Sequence, residues 1–150
     1  DQLLELIATS SYRRQAIGLL IDRLPQPLSF ESSMSIVGLF EDNERYRVIK
    51  LLSQHDRVPQ RLSSDQLLEL IATSSYRRQA IGLLIDRLPQ PLSFESSMKI
   101  VQPAQDNERY RLLKLLVQRN RLPGALSSDQ ILALVESSSY RQKAIELLQQ

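Results

Sequence analysis

The chain contains no cysteine, and that absence removes disulfides and thiolate metal sites from consideration. It fits an intracellular protein, cytoplasmic or nuclear. There is one histidine, His55. A metal site wants several ligands and acid–base chemistry wants a positioned partner, so a lone imidazole near a helix end reads as a surface residue. Only four glycines occur, and none builds a loop that would cradle a phosphate. No apolar run approaches the roughly 20 residues of a membrane span, and no signal peptide is visible. The serines are numerous, yet they fall at helix starts and lack a histidine base. Acids such as Glu41, Asp42 and Asp86 have no second constellation converging on them, and read as caps or as partners for arginine. The expectation is a non-enzyme, without catalytic residues, cofactor or metal, and without a membrane partner.

Charge is close to balanced, with a net of +2, but the sequence pI is near 9.1 and the cations are fifteen arginines against four lysines. Arginine is a planar fork of five donors that grips carboxylate or phosphate in pairs. Seventeen acids are interleaved with these cations, so bulk charge does not indicate nonspecific nucleic-acid binding.

What the chain does have is repetition. Residues 1–34, DQLLELIATSSYRRQAIGLLIDRLPQPLSFESSM, recur letter for letter at 65–98, which sets a period of 64. A subtler unit divides it. YRRQAIGLLIDRLP (12–25) is echoed by YRVIKLLSQHDRVP (46–59), the second copy (76–89), YRLLKLLVQRNRLP (110–123) and YRQKAIELLQQ from Tyr140. The tyrosines are spaced 34, 30, 34 and 30 residues apart. A fixed period in this range marks a solenoid or array. The expected architecture is all-α: a right-handed α-solenoid of about five stacked αα-hairpins. It forms one repeat domain over 1–150, with double repeats 1–64 and 65–128 and a partial repeat 129–150. At 42% hydrophobic residues, the chain can fill a continuous core.

Apolar spacing within each unit is helical. Tyr12, Ala16, Ile17, Leu20 and Leu24 form one stripe, with Tyr opening its buried side, and Tyr46, Ile49 and Leu52 begin another. Leu3, Leu4, Ile7 and Ala8, and Phe30, Met34, Val37 and Phe40, do the same in the preceding segments. Ser63 or Ser127 with Gln three residues on is a capping-box pattern, and Ser29 and Ser93 can cap the alternate helices. The SS and DN pairs before Tyr-Arg suit tight turns. Arg23, Arg57, Arg87 and Arg121 suit helix C-terminal turns, and the prolines after them forbid continuation. Helices are expected near 2–9, 12–24, 30–41, 44–57, 65–73, 76–88, 94–102, 108–121, 128–136 and 140–149. Pro103 stands where the first copy has Leu39, so the seventh helix is expected to end early. Phe40 is expected in the core.

Between 35–64 and 99–128, thirteen of thirty residues differ, whereas 1–34 and 65–98 are identical. Uniform drift cannot give that contrast. Either one segment was copied recently by recombination or modules were joined deliberately, and a boundary inside a predicted helix favours the first. Asp1 falls within a helix whose serine cap is missing, which reads as a trimmed fragment or engineered chain.

The unit LSSDQLLELIATSSYRRQAIGLLIDRLP resembles a helical-hairpin repeat domain of unknown function, found in bacterial proteins and at the N-terminus of vertebrate proline- and serine-rich proteins. LSSDQLLELI matches its Ser/Thr-capped helix and SSYRRQAIGLL its aromatic-basic opening of a second helix. That family favours Phe and Lys where this chain has Tyr12 and Arg13 or Arg14. The resemblance implies a helical-repeat fold and supplies no catalytic residue.

The recurring polar feature is the Tyr-Arg series: Tyr12/Arg13, Tyr46/Arg47, Tyr76/Arg77, Tyr110/Arg111 and Tyr140/Arg141. Equivalent positions in a stack line up along one face, where such a row can grip acidic peptides or phosphates. The leading expectation is a non-catalytic interaction scaffold for a protein or peptide. Single-stranded nucleic-acid binding through the Arg and Tyr rows is the alternative and is not favoured. A third reading is a self-assembling module, forming homo-oligomers or domain swaps through uncapped terminal helices.

Overall fold

The computed structural model describes residues 2–9 and 11–149. Asp1 as a helical residue, Ser10 in the first turn and the side chain of Leu4 lie outside the described residues. Among those described, the chain is all-α, with ten α-helices and no strand. They are α1 Gln2–Thr9, α2 Arg13–Leu20, α3 Phe30–Val37, α4 Asp42–Gln54, α5 Ser64–Ile71, α6 Arg77–Leu84, α7 Phe94–Val101, α8 Asp106–Gln118, α9 Ser128–Val135 and α10 Arg141–Leu148. No helix among them is long and apolar enough to cross a membrane.

Contacts divide the chain into two compact units, Asp1–Leu62 with Gln66–Arg87, and Ser63–Asp65 with Leu88–Gln150. In the first, α1 packs on α2 and α3 on α4 as hairpins, while α1 touches α3, and α4 touches both α2 and α6. Here α1 and α3 therefore lie in one layer and α2, α4 and α6 in the other. In the second unit α7 packs on α8 and α9 on α10, with α7 against α9 and α8 against α10, in the same two-layer order.

Helix starts follow cap chemistry. Ser29 and Ser93 are extended N-caps whose side chains accept from the amides of Ser32 and Ser96 at 3.1 Å. Ser127 and Gln130 close a full capping box ahead of α9. These serines satisfy amides that a helix start otherwise leaves open.

Several helix ends differ from expectation: α4 and α8, expected over 44–57 and 108–121, run Asp42–Gln54 and Asp106–Gln118, so that Arg57 and Arg121 lie beyond the last turn. The second helices, expected through 24 and 88, are α-helical only to Leu20 and Leu84 and then tighten into 3₁₀ turns at 21–23 and 85–87. Leu24 precedes Pro25 and must be extended, with φ −75° and ψ 151°, so the chain unwinds ahead of the proline. Helix α3, expected to 41, stops at Val37, because Leu39 and Phe40 donate to Ile36 and Val37 three residues back. That tuck carries Phe40 into the core, as expected. Pro103 does not shorten α7 relative to α3: they end at the equivalent Val101 and Val37. The turn before Asp-Asn-Glu-Arg stops both.

The core of the first unit is built on Ile17, Ile21, Ile36, Val37, Val48, Ile49 and Leu52, and that of the second on Ile100, Leu112, Leu113, Leu116, Leu134 and Val135. Burying one such side chain contributes about 1.5–3 kcal/mol. Tyr12, expected to open a buried stripe, is instead 71% exposed, and Tyr76 and Tyr140 are exposed as well. The buried stripe of α2 begins at Ile17.

Helices α4 and α8 end in paired 6→1 and 5→2 hydrogen bonds. Arg57 and Arg121 donate to Leu52 and Leu116 at 2.7 and 2.8 Å, and Asp56 and Asn120 donate to Ser53 and Val117. This is the Schellman arrangement, with Asp56 and Asn120 in the left-handed position that glycine usually fills. Asn120→Ala is therefore expected to lower the unfolding free energy by about 1 kcal/mol, while Asn120→Gly holds it, as read from urea midpoints.

Candidate functional site

Six residues, DNERYR, open α4 at 42–47 and α8 at 106–111, and they make the same junction in each unit. Asp42 has φ 53° and bonds in both directions. Its amide donates to the Thr73 carbonyl at 3.0 Å and its carbonyl accepts from the Ser75 amide at 3.2 Å. Asp106 does the same with Ser137 at 2.7 Å and Ser139 at 3.2 Å.

One turn further on lies a buried arginine. Arg45 is 6% exposed; its Nε donates to the Leu70 carbonyl at 2.9 Å, Nη2 to the Glu69 carbonyl at 3.0 Å, and Nη1 to Thr73 Oγ1 at 3.3 Å. Arg109 gives both Nε and Nη2 to the carbonyls of Leu134 and Ala133 at 2.8 Å. These carbonyls belong to the last turns of α5 and α9, which have no donors within their own helices. A guanidinium there satisfies the acceptors and meets the negative end of the helix dipole. Burial lowers the pKa of both guanidinia from the ordinary arginine value, with Glu41 and Glu136 opposing, without discharging them.

The clamp also sets the tyrosines. Tyr46 meets Tyr76 with ring centroids 5.3 Å apart and planes at 57°, and Tyr110 meets Tyr140 at 5.4 Å and 59°. Tilted pairs of this kind contribute about 0.5–1.5 kcal/mol each. Lys143 lies 5.5 Å from the Tyr140 ring centre. Tyr76 and Tyr140 have φ of 56° and 53°, whereas Tyr12, in an identical local sequence, has φ −118°.

The arginines of the Tyr-Arg series take separate local roles. Arg13 donates to the Ala8 carbonyl at the end of α1, at 3.2 Å. Arg47 pairs with Glu44 at 3.2 Å and Arg111 with Glu108 at 3.6 Å, each within its own helix. Arg77 is half-buried, and burial lowers its pKa. Arg141 is exposed.

At the opposite ends of the even helices, a polar network joins neighbouring turns. Arg57 donates to the Leu24 carbonyl at 3.2 Å, and Arg87 reaches the Pro59 carbonyl and pairs with Asp56 at 2.8 Å. Gln26 also donates to Asp56. His55 Nδ1 stands 3.3 Å from Asp22. Among the described residues no group of three His, Cys, Asp or Glu side chains could hold a metal ion.

Two open cavities lie along the first unit. One, of about 560 Å³, is bounded by Tyr12, Arg13, Leu39 and Phe40 near the turns. The other, of about 330 Å³, lies between α2 and α4 and is lined by Arg14, Gln15 and Gly18 on one side and Arg47, Lys50, Leu51 and Gln54 on the other. Arg14 and Gln15 border both. Glu44 bridges the walls, taking Arg14 Nε at 2.8 Å on one oxygen and Arg47 Nη1 on the other.

The series-based reading passed over Arg45 and Arg109, although a signal was present. DNERYR is unchanged between copies whose flanks differ at 38–41 and 48–49. No family model, curated protein or solved structure matches the chain.

Two measurements test the geometry. Arg109→Met keeps the apolar stem but strands two buried carbonyls, and is expected to lower the unfolding free energy by about 2–4 kcal/mol, with Arg109→Lys recovering only part. At Asp56 the hydrogen bond from Arg87, then that from Gln26, holds the carboxyl below its ordinary 3.8. Its folded value lies under the unfolded one, so its stabilisation is present above the unfolded value and lost as pH falls through the folded value. Asp56→Asn is expected to shrink the drop in urea midpoint between about pH 5 and pH 2.

Proposed function

We propose that the chain is a non-catalytic helical-repeat scaffold that binds a protein or peptide. In this reading its hairpins stack as a right-handed α-solenoid on the alternating 34- and 30-residue spacing, and the chain is one of the helical-hairpin repeats it resembles. The observation that carries the proposal is the junction made twice with the same atoms, Asp42/Arg45 on the turn after α5 and Asp106/Arg109 on the turn after α9. A contact that the hairpin α3–α4 makes with the hairpin after it, and that α7–α8 makes again with its own successor, suits a one-dimensional stack, and such stacks present long surfaces for partners. The polar groups found together support this reading, since they cap helices and hold turns. The tyrosine pairs weigh against the nucleic-acid alternative, because rings set against each other have less face to offer a base.

Panning a random peptide display library on the immobilised chain tests this. The expected result is enrichment of related sequences that bind the purified chain with micromolar dissociation constants. Failure to enrich any peptide overturns the proposal. So does retention of a nucleic-acid pool on filters with affinity falling steeply between about 50 and 200 mM salt.

A further inference from the structure

We infer that the groove between α2 and α4 binds an extended acidic peptide, whose carboxylates are received by Arg14, Arg47 and Lys50. This deepens the scaffold reading and rests on it. The first support is charge. Arg14, Arg47 and Lys50 line a space of about 330 Å³ whose lining includes no acid; Glu44, which pairs with both arginines, borders the neighbouring cavity instead. Glu44 shows that a carboxylate can be shared between a guanidinium from each wall, and its place at the groove's edge leaves the groove itself without one. Each arginine keeps further donors beyond that contact, and Lys50 has no carboxylate partner among the described residues.

The second support is shape. Gly18 lies inside α2, where glycine is destabilising relative to alanine. A Cβ added there would meet nothing within 4 Å, so no neighbouring group demands the glycine. The space above it is part of the groove. The third support is the kind of hydrogen bonding on offer. Gln15 and Gln54 place carboxamides on the two walls, each able to donate to and accept from a peptide main chain. No aromatic ring lines this groove, so a nucleobase would find nothing to stack on. Peptide bonds match the lining better than nucleobases do.

The test is fluorescence anisotropy with a labelled peptide of alternating Asp and Glu, its Asn/Gln counterpart, and an oligothymidine of equal length. The acidic peptide is expected to bind at least about tenfold more tightly than either control, since only it supplies carboxylates to the cations. Lys50→Glu and Arg47→Glu are each expected to weaken it by about tenfold or more. Gly18→Leu fills the groove floor, and is expected to weaken binding while leaving helicity and the melting temperature unchanged or raised. Equal binding of the acidic and neutral peptides, tighter binding of oligothymidine, or indifference to all three substitutions overturns the inference. If library-selected peptides still bind while the acidic peptide does not, the inference alone fails. If no peptide of either kind binds, the scaffold reading fails with it.

Discussion

A charged side chain on the last carbonyls of a neighbouring helix is the contact that organises each unit. Arg45 and Arg109 are almost fully buried, and an unpaired buried guanidinium is costly, so each must find acceptors. The last carbonyls of α5 and α9 supply them. One contact thereby solves two problems of helical hairpins, a cation without water and carbonyls without donors. Removing the carbonyls leaves the guanidinium unsatisfied and removing the guanidinium strands the Leu70, Ala133 and Leu134 carbonyls, and that mutual need fixes which turn meets which helix start.

The same contact accounts for where backbone strain collects. Thr73 and Ser137, and Tyr76 and Tyr140, all have φ between 53° and 65°, conformations unfavourable for residues with side chains, most of all a β-branched one. They cluster around the turns bonded to Asp42 and Asp106. Tyr12 stands in the same letters, ATSSYRR, as Tyr76, yet its φ is −118°. The left-handed turn is therefore not a property of those letters alone. Asp56 and Asn120 differ in kind: Asp and Asn accept the left-handed region readily, and their conformation follows from local chemistry.

How much could be read beforehand follows the same division. All ten helices were legible, because an apolar stripe at helical spacing, a serine cap and a following proline are local features. The end of α3 was not, since it depends on Phe40 turning inward to find a core. Arg45 was missed because DNER at a helix start looks like ordinary solvated charge, and its acceptors lie 24 and 25 residues further along the chain. The tyrosine series was visible as a period, but the period treats its members alike. The alternating 34 and 30 spacing already separated two kinds: half-buried Tyr46 and Tyr110, and exposed Tyr12, Tyr76 and Tyr140.

Charge placement carries the functional argument furthest. Odd-numbered helices hold Glu5, Glu31, Asp65, Glu95 and Asp129 in their first turns, where a carboxylate suits the positive helix end. Helices α2, α6 and α10 do the reverse. They open on Arg13 and Arg14, Arg77 and Arg78, and Arg141, with no acid in the first turn. A cation there opposes the dipole by about 0.3–1 kcal/mol at low ionic strength. Some of these charges have intramolecular reasons: Arg13 caps α1, and Arg14 meets Glu44. Arg141 has no carboxylate to answer it among the described residues. Cations held against local helix stability and left facing solvent are poor devices for folding. On the proposed reading, charges of this kind serve to draw an acidic partner.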